Sequence, residues 1–204
     1  MIRILSKPLF GQLPLGRRLP NTAPFSFGND SFKVVQYNGR GILLRDPYAR
    51  QLAVNNIQAL AKTAHVLCLE EGHGHHLEIK SCFSVWLPGW TVFASSALRA
   101  DGSNNYGAGG VAIALCPALV AGAMQPIDHK IHVAGRCNSV TISIPKPSKL
   151  MHSICIINLH NYNFSTSQVS RVGAFLTGRS IIDRLNPTQN FSLLVGDFNF
   201  LAIG

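Results

Sequence analysis

The residues best suited to chemistry stand near the end of the chain, in the stretch 193–200. An apolar run there predicts a short buried strand, and after Gly196 the side chains of Asp197 and Asn199 emerge at the strand tip. Because residues two apart on an extended chain point the same way, both polar groups face one point. A carboxylate beside an amide could orient a water molecule or hold a phosphate oxygen. Alone, this tetrapeptide is equally typical of a turn after a strand.

Polar residues also follow the predicted strands earlier in the chain, where each strand ends: Asn38, Glu71 and His160. A carboxylate with an amide carbonyl suits Mg²⁺, which prefers oxygen ligands and keeps several waters. An imidazole can transfer a proton or stabilise charge on phosphorus. Each residue alone has a simpler explanation, as a turn asparagine, a solvated loop acid or a strand-end histidine. Their joint placement favours metal-assisted phosphoester hydrolysis.

Short apolar or alternating runs predict the strands that carry these residues, at 32–39, 65–69, 109–115, 138–144, 154–159 and 193–195. Amphipathic stripes predict helices at 50–64 and 168–185, the second capped by Ser165, Thr166 or Ser167. A further strand pair, broken at Pro88-Gly89, is expected from 83 to 95. Alternation of strands and helices predicts an α/β fold with its site at the carboxyl ends of strands.

Three histidines within the segment Gly72–His76 raise the possibility of a transition-metal site. No Cys or His pair stands at a matching spacing, so a surface loop with incidental imidazoles is the favoured interpretation. A second segment, from Ala108 to Ile127, carries no charge and would be long enough to cross a bilayer. Its glycines and Pro117 favour a buried strand followed by a turn, and no membrane span is expected.

Composition sets the class of protein and of partner. The 204 residues suffice for one sizeable domain. Eighteen Lys and Arg against nine acids give a net charge of +9, which favours a polyanionic partner, although compositional bias of the source genome is an alternative.

Five cysteines without a paired spacing indicate a reducing compartment, so an intracellular location, nuclear or cytoplasmic, is favoured. Residues 1–30, basic and proline-rich, predict a leader or linker outside a domain at 31–204.

Five segments taken in order resemble the endonuclease/exonuclease/phosphatase superfamily, namely Gln36–Gly39, Leu67–Glu71, Gly109–Ile113, Asn158–His160 and Val195–Asn199. That superfamily includes DNase I-like nucleases, exonuclease III-like apurinic endonucleases and the endonuclease domains of non-LTR retrotransposons. The resemblance extends over residues 32–204. It implies a four-layer α/β sandwich (α+β in the broader sense) with two mixed sheets and a Mg²⁺ site, with Mn²⁺ as a possible substitute, at their shared edge.

The resemblance also implies roles for individual residues. Asn38 and Glu71 match the metal-binding pair, and Asp197 and Asn199 match the residues that orient water and contact phosphate. His160 stands where DNase I-like members carry a catalytic histidine. Asn163 matches a phosphate-contacting asparagine, although Asn161-Tyr162 replaces the usual proline-bearing turn.

Two departures from the family pattern qualify this picture. Glu70 stands where a glutamine or similar polar residue is common, and no C-terminal Asp-His pair precedes Gly204, so the second sheet is expected to be incomplete.

The leading hypothesis is a Mg²⁺-dependent phosphodiesterase, an endonuclease acting on DNA, from a retroelement-type reading frame. The alternatives are a catalytically inactive remnant or partner-binding fragment, and a phosphatase acting on phospholipid or inositol phosphate. The sequence leaves the oligomeric state open.

Overall fold

The computed structural model describes residues 2–5, 32–43, 46–99, 101–145, 151–162, 164–187 and 189–198. The strands are β1 (Ile2–Leu5), β2 (Val34–Asn38), β3 (Val66–Glu70), β4 (Thr91–Ser95), β5 (Val111–Leu115), β6 (Asp128–Val133), β7 (Cys137–Pro145), β8 (Met151–His160) and β9 (Asn190–Asp197). The helices are α1 (Pro47–Ala61), α2 (His76–Trp86), α3 (Pro117–Gly122) and α4 (Thr166–Leu185).

The described strands form two mixed sheets. One has five strands in the order β1-β9-β8-β7-β6, and the other has four in the order β2-β3-β5-β4. The pairs β2/β3 and β8/β9 are parallel, so the carboxyl ends of each pair meet at one edge. Those are the four strands that carry the predicted site residues.

The two sheets pack face to face, and helices cover their outer faces. An apolar core lies between the sheets and includes Val66, Ile113, Ile142 and Ile156, all completely buried. A second core joins the four-stranded sheet to α1 and α2, and a third joins the five-stranded sheet to α4. This arrangement is a four-layer α/β sandwich, as the resemblance predicts.

Two buried asparagines connect the sheets through hydrogen bonds. Asn158 of β8 donates from Nδ2 to the carbonyl oxygens of Leu69 and Ala112 on the other sheet, at 3.0 Å each. Asn138, its register partner on β7, donates to the carbonyl oxygen of Phe93 at 3.2 Å. The apolar side chains of the core between the sheets surround these two amides.

The main secondary-structure error in the sequence prediction concerns residues 76–95. The predicted strand pair from 83 is wrong, because α2 runs to Trp86 and only β4 follows as a strand. A capping box begins the helix: His75 Nδ1 accepts from the backbone of Leu77, and Glu78 accepts from the backbone N–H of His75. Strand β6 was also not predicted, and Pro117 begins α3 rather than a simple turn.

The amino-terminal segment differs in part from the predicted leader. Ile2–Leu5 forms β1, which pairs in parallel with Ser192–Val195 of β9 and so belongs to the five-stranded sheet. Residues 6–31 lie outside the described residues, and the domain boundary at residue 31 stays a prediction. All five cysteines are free. Across the described ranges, no helix is both long enough and apolar enough to cross a membrane.

Candidate active site

The candidate site lies where the layer between the sheets changes from apolar to polar. Along β9, Leu193 and Val195 face the other sheet, and alternation places Asp197 on the same side. The same alternation places Asn38 after Val34 on β2, and His160 after Ile156 on β8. The strands therefore deliver polar side chains from both sheets to one end of the shared core.

Asn38 and Asp197 join the two sheets at this end. Asn38 donates from Nδ2 to Oδ2 of Asp197 at 3.0 Å, and its Oδ1 accepts from the backbone N–H of Arg40 at 2.9 Å. Because the second bond requires an oxygen at Oδ1, the amide orientation is fixed, and Asp197 is held by a donor from the opposite sheet. Oδ1 keeps one lone pair for another ligand.

Glu71 leaves the end of β3 in an unusual backbone conformation. Its φ of 52° lies in the left-handed region, which a residue with a side chain adopts at a cost of about 1 kcal/mol or more. The backbone N–H of Gly41 donates to its carbonyl oxygen at 2.7 Å and holds that conformation. As a result, the Glu71 side chain, which is 27% exposed, turns toward His160 instead of continuing along the strand.

His160 is buried between Glu71 and Arg136. Its Nε2 lies 3.1 Å from Oε1 of Glu71, an electrostatic contact rather than a well-aligned hydrogen bond. Its Nδ1 lies 2.9 Å from a guanidinium nitrogen of Arg136. A guanidinium only donates, so Nδ1 accepts and the proton of the neutral ring is on Nε2, toward Glu71. Burial first, and the charge of Arg136 second, lower the pKa of His160, while Glu71 and Asp197 oppose that shift.

Glu70 lies beneath the site and is completely buried. Its Oε2 accepts from the side-chain amide of Gln36 at 2.7 Å, whereas Oε1 has no hydrogen-bond partner among the described residues. Burial raises the pKa of the carboxyl well above its ordinary value; the Gln36 bond opposes this, and Asp197 and Glu71 add to it. The departure from the family pattern at this position therefore places a third carboxyl group close to the other two.

The turn after β8 is attached to β9 by two hydrogen bonds. The backbone N–H of Asn161 donates to the carbonyl oxygen of Asp197 at 2.8 Å, and its Nδ2 donates to that of Phe198 at 2.7 Å. Asn163 and Asn199 lie outside the described residues, so their predicted phosphate contacts stay predictions.

The residues present fit a divalent cation of the Mg²⁺ type. Glu71 offers a partly exposed carboxylate and Asn38 a free lone pair, and Mg²⁺ needs few protein ligands because waters and substrate oxygens complete its shell. In the part of the chain that the structure describes, no three His, Cys, Asp or Glu residues gather to hold a metal. The histidines after Glu71 serve other purposes: His75 caps α2, and His76 contacts Ser96 at 3.3 Å.

Two site residues were not found from the sequence. Arg136 lies in the turn between β6 and β7, and only a prediction of both strands would have placed it there. Tyr162 follows β8 and was noted only as part of a changed turn; its ring lies 5.9 Å from that of His160 and within 5.2 Å of the Arg136 guanidinium carbon. Asn38, Glu71, His160 and Asp197 are brought together as the sequence predicts, and their roles remain predictions.

Comparison with known proteins identifies the fold. No family model and no curated protein matches the sequence. The human Nocturnin catalytic domain with bound sulfate matches with a TM-score of 0.51 and 16% identity, over 84% of this chain and 66% of that one. ANGEL2, a 2′,3′-cyclic phosphatase, in complex with adenosine-2′,3′-vanadate, matches with a TM-score of 0.53 and 16% identity, over 84% of this chain and 54% of that one. The chain thus spans only part of either structure, and it shares their fold over the part that it covers.

Proposed function

We propose that this chain is a divalent-metal-dependent phosphodiesterase that acts on nucleic acid, as an endonuclease on DNA. One observation carries the proposal. The Asn38–Asp197 hydrogen bond, which crosses between the sheets, lies beside a chain of contacts in which the buried His160 joins Glu71 to Arg136. This places an oriented carboxylate, a possible cation ligand and two positively polarised N–H groups around one point, as phosphoester hydrolysis requires.

Asn38 and Glu71 would hold Mg²⁺, or Mn²⁺ in its place. The bound ion would supply Lewis-acid polarisation of a phosphoryl oxygen. Asp197 accepts the proton of the attacking water, and the hydrogen bond from the Asn38 amide to Oδ2 orients its carboxylate. The Nε2–H of His160 and the guanidinium of Arg136 stabilise the charge that develops on the phosphoryl oxygens.

The choice of nucleic acid rests on charge. With +9 and only nine acids in the chain, long-range attraction favours an extended polyanion over a small sugar phosphate. ANGEL2 is a 2′,3′-cyclic phosphatase, so the same fold supports attack on a nucleotide phosphoester. Hydrolysis of phospholipid or inositol phosphate is the second candidate within the same chemistry, and an inactive partner-binding domain is the third.

The direct test is nicking of supercoiled plasmid by the purified chain. We expect nicking with Mg²⁺ or Mn²⁺ and none with EDTA. Glu71→Gln and Asp197→Asn should each reduce the rate by at least about 100-fold, since each removes a charged group at the reacting centre. Asp101→Asn, a change at an exposed loop carboxylate, is the matched control and should leave the rate unchanged.

Each alternative has its own outcome in this experiment. If the plasmid stays intact while phosphate is released from inositol phosphates or phospholipids, the substrate assignment is wrong but the chemistry stands. If the folded chain hydrolyses none of these substrates, the enzymatic proposal is refuted and the inactive partner-binding domain replaces it. Circular dichroism of each variant establishes whether the variant is folded, so that a loss of activity is not mistaken for a loss of structure.

A further inference from the structure

We propose that Tyr162 is a stacking surface for a nucleobase next to the scissile phosphate, so that the site recognises a base-bearing substrate. The inference rests on the proposed function, and it adds the part of the substrate that is bound beside the reacting phosphate. Three properties of Tyr162 support it: a fixed backbone, an ordered ring and a solvent-exposed surface.

The backbone of Tyr162 is held at the site from two directions. Its N–H donates to the carbonyl oxygen of His160 at 3.0 Å, which makes a tight turn directly after β8. Asn161, the residue before it, is bonded to Asp197 and Phe198 through its backbone and its side chain. A ring on this turn therefore keeps its position relative to Asp197 without a ligand, and binding a base there costs little ordering entropy.

The ring of Tyr162 continues a stack that begins inside the protein. Its plane is inclined by only 7° to that of His160, with the centroids 5.9 Å apart, so the two rings are parallel and offset. The guanidinium carbon of Arg136 lies 5.2 Å from the ring centroid, within the range of a cation–π interaction. Both neighbours restrict rotation of the ring, and the same Arg136 contacts the catalytic imidazole.

Tyr162 is the solvent-exposed end of that stack, and His160 is its buried end. The side chain of His160 is 1% exposed, whereas Tyr162 is 48% exposed. A planar group entering from solvent could extend the stack, with its attached phosphate directed toward His160 and Asp197. Nucleobases are planar and all have a π face, so stacking on tyrosine tolerates any sequence. A phospholipid or inositol phosphate has no planar ring to place there.

The test compares substrates that share phosphodiester bonds and differ in their bases. One is a single-stranded oligonucleotide, and the other has abasic tetrahydrofuran residues at the same positions. Tyr162→Ala should raise KM for the base-bearing strand about tenfold and for the abasic strand less than twofold. Tyr162→Phe keeps the ring and should restore the wild-type KM. Tyr48→Ala, which removes a tyrosine 82% exposed on α1, is the matched control.

A binding measurement keeps the inference testable if cleavage fails. In EDTA, the fluorescence of an oligonucleotide containing 2-aminopurine should be quenched when it binds to wild type or to Tyr162→Phe. At saturation, Tyr162→Ala should quench that fluorescence less than half as much. Equal KM changes on both substrates, or unchanged quenching in Tyr162→Ala, would overturn the inference. A wild type that quenches the probe but cleaves nothing contradicts the proposed function while leaving the stacking role in place.

Discussion

At the scale of single residues, Arg136 determines which form of His160 occupies the site. The guanidinium donates to Nδ1 and carries a positive charge, so a doubly protonated ring would lose this bond and place two cations in contact. Burial acts in the same direction, and together they keep the pKa of His160 below its ordinary value of 6.5. The neutral ring with its proton on Nε2 is therefore the form present at neutral pH.

Replacing Arg136 by methionine should raise the pKa of His160. The substitution removes a nearby positive charge, while the carboxylates of Glu71 and Asp197, which favour the imidazolium, remain. NMR titration of the His160 ring should show a midpoint below 6.5 in wild type and a higher midpoint in Arg136→Met. Lys62→Met, an exposed change after α1, should not move it. An unchanged midpoint in Arg136→Met would mean that Arg136 does not control this ring.

Four site residues could be predicted from the sequence, but Arg136, which contacts His160, could not. Asn38, Glu71, His160 and Asp197 follow apolar runs, and strand periodicity alone places them at strand ends. Arg136 acts from a turn whose first strand, Asp128–Val133, alternates too weakly to be predicted, since only Val133 of its six side chains is buried. Contacts made across a turn by one long side chain have no periodic signal.

At the scale of secondary-structure elements, the pairing of β9 with β8 depends on Gly196. Its φ is 147°, and a Cβ at this position would overlap the backbone of Leu159 on β8. The two strands pair in register here, with Leu159 beside Gly196 and His160 beside Asp197. Close backbone contact at Gly196 therefore sets the relative position of the two residues that follow, which belong to the site.

Two glycine substitutions should have opposite effects on stability. Gly196→Ala should lower the free energy of unfolding by roughly 3 kcal/mol, because the new methyl group would force β8 and β9 apart. Gly173→Ala, in the exposed interior of α4 with nothing within 4 Å, should raise it by about 0.5–1 kcal/mol. Urea denaturation measures both. Stability within 1 kcal/mol of wild type for Gly196→Ala would contradict the close contact.

The helix α2 shows where element prediction failed and why. Its aromatic and β-branched residues near Trp86 are typical of strands, and its cap is a histidine rather than Ser, Thr, Asp or Asn. Ile79 and Phe83 are buried and lie one helical turn apart, but one such pair is too short a pattern to indicate a helix. By contrast, α4 has a Ser165–Gln168 capping box and twenty residues, and its prediction is confirmed with the cap at the first of the three candidates.

At the scale of the whole molecule, thiol reactivity reports on two of the three packed cores, the one between the sheets and the one under α4. Cys68, Cys116, Cys137 and Cys155 are buried in them, whereas Cys82 on α2 is only partly buried. Burial, with a smaller contribution from Cys155, raises the pKa of Cys137 to about 12, so its thiolate is scarce near neutral pH.

Labelling of the native protein with a disulfide reagent near pH 8 should therefore modify one thiol quickly. We expect that thiol to be Cys82, and Cys82→Ser should remove the fast phase without changing the slow one. In denaturant, all five should react. Two or more fast thiols in the native protein would show that one of the two cysteine-containing cores is open, and mass spectrometry of the labelled peptides identifies it.

Asn138 and Asn158, the polar pair between the sheets, have a consequence for the accuracy of assembly. Apolar faces tolerate small displacements, since one aliphatic contact replaces another at little cost. A hydrogen bond buried between layers does not, because a shift of even one residue would leave donors and carbonyl oxygens without partners. The observed alignment of the sheets gives both Nδ2 groups their carbonyl partners, and the same alignment brings Asn38 to Asp197. Residues outside the site thus determine how reproducibly each folded copy acquires the same arrangement of Asn38 and Asp197.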